Sequence, residues 1–370
     1  MTGNVLITGG AGFIGSHLSD ELLDQGYSVR ALDNLSPQVH GPDRKRPYYL
    51  NPDVELITGD VRDARTVSKA VAGADAIFHF AAMVGVGQSM YQVREYTDVN
   101  AVGTAVLLEA VVKAKKRPKL LVASSMSVYG EGCYVGPDGI TCSDIAQRPV
   151  ERLRRGDWEV RDGMGNILAP VPTSEAKTPS PASIYALSKY DQEQMCLMFG
   201  AAYGFPAVVL RFFNVYGTRQ AISNPYTGVL AIFASRLLNS NSPLIFEDGL
   251  QRRDFVSVHD VSMACRLALE NDLADSQVIN IGSGRDYTVL EIAREMTRVL
   301  GKEGIAPEIT RKYRASDIRH CFADISLAGK LLGYEPEIPL ETGLIELASW
   351  FEEQIAEDRT AGASSGPVNG

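Results

Sequence analysis

Two side chains spaced for proton transfer stand in the stretch YALSK, where Tyr185 and Lys189 are four residues apart. On a helix that spacing puts both on one face. An ammonium beside a phenol favours the phenolate, so Lys189 is expected to draw the Tyr185 pKa down from about 10. A phenol so lowered works as a general acid or base near neutral pH. A lone Tyr–Lys pair is as readily a surface contact. What gives this one weight is SSMSVYG at 124–130, which carries the Ser125 hydroxyl to the end of an apolar run. A second group lies near the amino end, in Gly9-Gly10-Ala11-Gly12-Phe13-Ile14-Gly15. Glycines so spaced allow a tight turn and close approach of backbone to a pyrophosphate, and the helix start that follows offers N–H groups to it. Asp33 ends the next apolar run. A carboxylate there accepts from a ribose 2′-OH and repels a 2′-phosphate, which favours NAD over NADP. The plain alternative is an ordinary strand–helix turn with a solvent-facing aspartate.

These groups need a scaffold that brings strand ends together. Apolar runs at 5–8, 28–33, 54–58, 76–80, 119–124 and 207–212 alternate with helix-like stretches at 13–25, 64–71, 95–115 and 185–203. Such alternation predicts right-handed crossovers and a doubly wound parallel sheet of the α/β class. Ligands of such sheets bind at the carboxyl ends of the strands. Three stretches break the pattern. Residues 34–52 read as a long loop, 131–181 as a proline- and charge-rich insertion, and 361–370 as a Gly/Ser/Ala/Pro tail. The expected organisation is a cofactor domain at 1–212 carrying the insertion, a smaller mixed α/β substrate lobe at 213–355, and a disordered tail at 356–370.

Composition narrows the function. The 370 residues are 45% hydrophobic and 22% charged, with a net charge of −9. An acidic chain without a basic block is a poor nucleic-acid binder. No uninterrupted apolar stretch reaches about 20 residues, so no membrane span is expected. No secretory leader is expected before the first strand. The cysteines, Cys133, Cys142, Cys196, Cys265 and Cys321, are odd in number and form no CxxC, which suggests neither a disulfide framework nor a zinc site. A cytoplasmic protein without a metal is the expectation.

Further motifs carry a resemblance. TGGAGFIG at 8–15, Asp33, GDVRD at 59–63, HFAA at 79–82, Val99-Asn100, SSMSVYG, YALSK, RFFNVYG at 211–217, RDFV at 253–256 and RASD at 314–317 occur in order. Together they resemble the extended short-chain dehydrogenase/reductases of the nucleotide-sugar epimerase/dehydratase family, over roughly residues 4–339. The resemblance implies a Rossmann-type fold, NAD and a nucleoside-diphosphate sugar. It places Gly9, Gly12, Phe13, Ile14 and Gly15 at the pyrophosphate, Asp33 and Asn34 at the ribose, and Asp60 and Val61 at the adenine. Phe80, Ala81, Ala82 and Asn100 fall on the nicotinamide side, with Tyr185 and Lys189. It makes Ser125, Tyr185 and Lys189 catalytic, and sets Ser125, Met126, Asn214, Arg253 and Arg314 against the substrate. Guanidiniums suit a diphosphate because they donate bidentately. Asn100 also reads as a satisfied helical amide, Asp60 as a helix cap, Arg253 as a partner of Asp254, and His79 as a packed strand-end residue.

Dehydratases of this family carry an Asp-Glu pair after the catalytic hydroxyl, where this chain has Met126 and Ser127. Epimerisation at C4 through a 4-keto sugar is therefore the reading, with a 4-ketoreductase, a 4,6-dehydratase and a non-enzymatic NAD(H) sensor as alternatives. The insertion's layout resembles the dTDP-L-rhamnose 4-epimerase branch, with UDP-hexose and UDP-hexuronate epimerases as rivals. The insertion is expected to act as a lid, anchored by Trp158, Ile167 and Leu168, with Arg152, Arg154, Arg155 and Arg161 facing an anionic substrate. The helices at 101–115 and 185–203 are expected to pair with their copies in a homodimer, as in the family.

Overall fold

The computed structural model describes residues 3–221, 228–314 and 317–353. The expected tail at 356–370 lies outside them.

Strand β1 (Asn4–Thr8) is buried from Val5 onward and leads through the glycine turn into α1 (Phe13–Asp24). β2 (Ser28–Asp33), β3 (Glu55–Thr58), α2 (Ala64–Val71) and β4 (Ala76–His79) follow. Then come α3 (Gly103–Lys113), β5 (Lys119–Ser125), α4 (Ile184–Tyr203) and β6 (Ala207–Phe212). The seventh strand of the sheet, β7 (Val278–Ile281), arrives much later in the chain. The order is β7-β6-β5-β4-β1-β2-β3, all parallel, as the alternation predicts. Winding reverses between β1 and β4, and a crevice opens there at the carboxyl ends. Continuous runs such as Leu120–Val122 and Val208–Leu210 are buried on both faces, which a covered parallel sheet requires.

The helix expected at 95–115 is broken. Residues Val93–Tyr96 make a short helix, Thr97–Val102 a π-helical turn, and only then does α3 begin. Such a turn inserts an extra residue and re-aims side chains; here it turns Asn100 into the interior.

Helices α5 (Val229–Leu238), α6 (Val258–Glu270), α7 (Val289–Val299) and α8 (Leu340–Glu352) follow β6. α5, α7 and α8 share a core around Phe233, Met296, Leu347 and Phe351. α6 instead packs on α1, and β7 pairs with β6, so residues 258–281 return to the sheet from beyond the expected boundary at 212.

The insertion is ordered. Cys133–Val135 pairs antiparallel with Thr141–Cys142 on one side and Ala169–Val171 on the other. Tyr134, Val160 and Leu168 form one small core, and Leu153 and Trp158 form another with Tyr313 of the second lobe. Ile167, expected as an anchor, is 52% exposed. Cys142 stands opposite Tyr134, not Cys133, and all five cysteines are free.

Candidate active site

The glycine turn is built for close approach. Gly9 has φ +71°, and a Cβ there would meet the Ala81 nitrogen at 2.9 Å. On Gly15 a Cβ would lie 2.5 Å from the Gly9 carbonyl, so this residue sets how tightly α1 packs on the turn. Gly12, at the start of α1, would bring a Cβ to 3.3 Å from the Gly9 carbonyl, and no side chain caps the helix. The first-turn N–H groups are thus presented to an anion. Asp33 belongs to the same unit. Its carboxylate accepts from Ala11 N at 3.1 Å and Leu35 N at 2.9 Å, and His40 Nε2 lies 3.6 Å away. Further along the edge, Asn34 donates to Asp60 at 3.3 Å. Hydrogen bonds from Arg62 hold the Asp60 carboxyl down at about 2. An open cradle, an uncapped helix and a carboxylate at its flank fit the diphosphate and ribose of NAD.

Other expected cofactor residues are placed differently. The Val61 side chain is core, packed against Gly103, so only its backbone can flank the adenine. Phe80 packs edge-on against Phe78 and Phe212, while Ala81 and Ala82 remain half-exposed. Asn100 is wholly buried. It accepts from Met83 N at 2.8 Å and donates to Met83 O at 3.1 Å and Ser188 Oγ at 2.9 Å. With both ends of its amide engaged, it pins the loop after β4 to α4.

The catalytic group assembles where β5 meets α4. β5 ends at Ser125, the 3₁₀ turn Met126–Tyr129 follows, and Gly130 closes it at φ +66°. α4 is capped at its start by Ser183 Oγ, which accepts from Ala186 N at 3.1 Å. This fixes Tyr185 in the first turn, hydrogen-bonded to Ser125. Ser125 Oγ also accepts from Ser127 N at 3.2 Å and from Ser127 Oγ at 2.9 Å. A hydroxyl has two acceptor sites and one proton. With both sites filled by Ser127, Ser125 is left to donate toward Tyr185 or a ligand oxygen.

The expected effect of Lys189 is not what the structure shows. Burial pushes the Tyr185 hydroxyl above its usual value, and the opposing influence is Ser125. Lys189 donates instead to Gln192 Oε1 at 2.6 Å, and burial lowers it to about 8. Gln192 continues to Thr104 at 2.8 Å, and His79 bridges Thr104 and Thr8 at 2.8 Å each. Burial keeps His79 neutral, near 3, consistent with a packed strand-end role. Beneath α4, Glu193 pairs with Arg211 at 2.7 and 2.8 Å and accepts from Ser124. The sequence marks Thr104, beside Gly103, only as part of the family pattern and does not single out Gln192 or Glu193; their only signal is polar residues on the inward face of a helix.

The expected substrate residues diverge. Met126 is buried with Val128, Tyr129 and Phe213. Asn214 donates to the Asp254 carbonyl at 2.8 Å. Arg253 does not pair with Asp254; it donates to the carbonyls of Arg252, Ile318 and Arg319. Asp254 accepts from Ser283 N, Ser283 Oγ and Gly284 N. Arg314 is exposed and stacks 4.8 Å over the Phe246 ring.

Residues 6–136 match the sequence profile described as GDP-mannose 4,6 dehydratase, and 165–282 that of the NAD dependent epimerase/dehydratase family. A dTDP-L-rhamnose 4-epimerase of Burkholderia thailandensis is 34% identical over 355 residues, 95% of each chain. The chain belongs to the NAD-dependent epimerase/dehydratase family. Its fold matches a UDP-glucose 4-epimerase of Thermotoga maritima solved with UDP-glucose, at TM-score 0.76 and 31% identity over 95% of this chain and 99% of that one. A UDP-glucuronic acid 4-epimerase of Bacillus cereus, solved with UDP-glucuronic acid and NAD, matches at TM-score 0.76 and 28% identity over 95% and 99%. The expectations of family, Rossmann-type sheet, NAD and C4 epimerisation of a nucleoside-diphosphate sugar are borne out. No described helix is long and apolar enough to cross a membrane.

Proposed function

We propose that Ser125, Tyr185 and Lys189 carry the NAD-dependent inversion of C4 in a nucleoside-diphosphate hexose. The observation that supports these roles most is the Ser127–Ser125–Tyr185 chain at the mouth of the crevice, beside the glycine turn. Ser125 donates to the C4 oxygen and orients it. Tyr185 takes the hydroxyl proton as the C–H electron pair leaves C4, and returns it when the pair comes back to the opposite face. Bound NAD supplies the hydride acceptor. Lys189, tethered through Gln192, presents a cation one helical turn from the phenol. Gly9, Gly12, Gly15 and Asp33 hold the dinucleotide, and Arg314 and Arg253 flank the substrate diphosphate.

The rhamnose relative, aligned over nearly the whole chain, supports a dTDP-sugar, and the structural neighbours support UDP-sugars. A homodimer fits the exposed Leu187 and Met198 on α4 and Val102 just before α3. A cytoplasmic location fits the reduced cysteines and acidic surface. The deciding experiment incubates the purified protein with UDP-, dTDP-, GDP- and CDP-sugars and reads C4 inversion by proton NMR. Inversion with NAD retained after dialysis is expected. Net reduction with release of oxidised cofactor would identify a ketoreductase, and light scattering at micromolar protein tests the dimer.

A further inference from the structure

The loops that leave β2 and β4 meet. The sheet order sets these strands on either side of β1, so the glycine turn that follows β1 lies between the two loops. After β2 the chain makes one helical turn, Pro37–His40, bracketed by Leu35 at φ +49° and Gly41 at φ +79°. After β4 it makes another, Val86–Ser89, entered through Gly85 at φ +131°. Positive φ at these places bends the chain sharply. Gln38 on the first turn and Gln88 on the second exchange both amide hydrogen bonds. Gln38 Nε2 donates to Gln88 Oε1 at 3.2 Å, and Gln88 Nε2 to Gln38 Oε1 at 3.1 Å. Neighbouring strands lie about 4.8 Å apart. The pair therefore closes a gap of two strand spacings across the carboxyl edge, where the crevice opens.

Both ends of this bridge reach the site. Gln88 is buried, and its Oε1 lies 3.1 Å from the hydroxyl of Tyr96, whose ring packs edge-on against Tyr185. On the other side His40, two residues after Gln38, turns inward. Its side chain is 3% exposed and its Nε2 stands 3.6 Å from Asp33 Oδ1. Its Nδ1 is buried with no hydrogen-bond partner among the described residues. A buried nitrogen left unpaired is costly. Each Asp33 oxygen accepts one backbone N–H, from Leu35 and from Ala11, and keeps capacity for a ribose hydroxyl. A hydroxyl held there gives His40 its partner. The loop is fixed beyond the bridge as well. Leu35 and Leu50 enter the core of the sheet, and Tyr49 donates to the Ala11 carbonyl at 3.2 Å. Residues 35–50 thus form a strap pinned at both ends, with Gln38 reaching across from between them.

We propose that Gln38 and Gln88 latch this strap over bound NAD, so that the amide pair governs how long the cofactor stays. The proposal goes beyond the epimerase reading and rests on its bound dinucleotide. The glycine turn and Asp33 decide where NAD binds; the strap decides when it leaves. Two neutral hydrogen bonds of modest net strength suit a latch, because they hold the strap shut yet break without disturbing the sheet. Opening of such loops commonly sets the rate of release. In an epimerase the hydride returns to the sugar, so NAD ends each cycle in the form in which it began and needs no exchange. Gln38 and Gln88 are positioning residues, since they bond each other and not the reacting atoms.

The test uses the NAD-loaded protein without sugar. Isotopically labelled NAD is added in excess, and its exchange into the protein is followed by mass spectrometry of the bound cofactor. Gln38→Ala, at an exposed position, should speed release about tenfold. Gln88→Ala should also speed it, and adding Gln38→Ala to Gln88→Ala should have no further effect, because the same bond is already gone. The urea midpoint of Gln38→Ala should match wild type. An unchanged release rate in Gln38→Ala overturns the proposal. So do additive effects of the two substitutions, or a lower urea midpoint accompanying the faster release, which would assign the change to general loosening. Gln38→Ala decides alone if Gln88→Ala folds poorly. C4 inversion is followed separately by NMR. Its absence for every sugar would sink the epimerase reading, while the exchange rate would still test the strap.

Discussion

The glycine turn and the seam that joins the insertion to the second lobe are both rigid, but for different reasons. In the turn, position follows from backbone. Gly9, Gly15 and Asp33 lie within one strand–helix–strand unit, and Asp33 reaches Ala11 across only 22 residues. Across the seam, position follows from side chains far apart in sequence. Arg148 meets Glu247 across 99 residues, and Glu131 accepts from Arg319 N across 188. A motif constrained by local chain geometry leaves a recognisable pattern. A buried ion network leaves only scattered charges, and its contribution lies more in fixing one arrangement than in net stability.

The contrast can be broken at either end. Tyr185→Phe should lower kcat by about 10²–10⁴ while leaving NAD content unchanged, because the turn is untouched; steady-state kinetics with cofactor assay of denatured protein checks both. Wild-type turnover would refute the assigned base. Arg319→Met leaves Glu159, Glu247 and Asp248 short of a partner and should cost about 3–5 kcal/mol in urea unfolding. Hydrogen exchange should quicken first in 131–181 and last in β1 to β5; uniform quickening would mean that the seam is not a separate unit. Gly15→Ala pushes a methyl toward the Gly9 carbonyl and should reduce retained NAD about tenfold or more, by the usual cost of overpacking. Ser127→Ala removes one of the two donors to Ser125. It should lower kcat about tenfold and move upward in pH the limb along which activity rises as Tyr185 deprotonates, with Ser127→Thr restoring both. The groups facing Tyr185 there are Ser125, Tyr96 and, one turn on, Lys189.

A separate effect is on acid stability. Burial lowers His17 and His79 to about 3. Below pH 6.5 the unfolded chain binds protons at these residues that the folded chain does not. Their stabilisation is therefore full above 6.5 and lost as pH falls toward 3, at about 1.4 kcal/mol per pH unit for each histidine. Asp254, raised to about 6 by burial, acts in the opposite sense as pH rises from 4 to 6. Comparing His79→Gln with wild type by urea unfolding at pH 7 and 5 isolates one histidine, and an unchanged slope would refute its neutral state.

The sheet was legible because its strands are continuous apolar runs, and the glycine turn and YALSK because their spacing is local. The break before α3 was not legible: the apolar period passes through 97–102 undisturbed, and only the buried Asn100 requires the wider turn. Arg152, Arg154 and Arg161 suggested a substrate contact, yet Arg152 and Arg161 bond Asp157 and Arg154 bonds Glu151. Neighbouring acids within five residues take up these charges, a pairing that composition alone does not reveal. The insertion read as patternless because its strands are only two or three residues long. The Lys189 tether escaped because Gln192 lies three residues beyond YALSK and belongs to no motif.

The return of residues 258–281 to the sheet bears on how the polypeptide is made. β6 is complete at Phe212, but its outer neighbour β7 is not synthesised until Ile281, and α1 lacks its packing partner until α6 emerges. A nascent chain halted near residue 212 would present an unpaired strand edge, apolar but for Arg211, to the ribosome surface and to its neighbours, the kind of edge that invites misassembly. A nick or truncation between 213 and 257 should therefore yield aggregating fragments rather than a small NAD-binding domain.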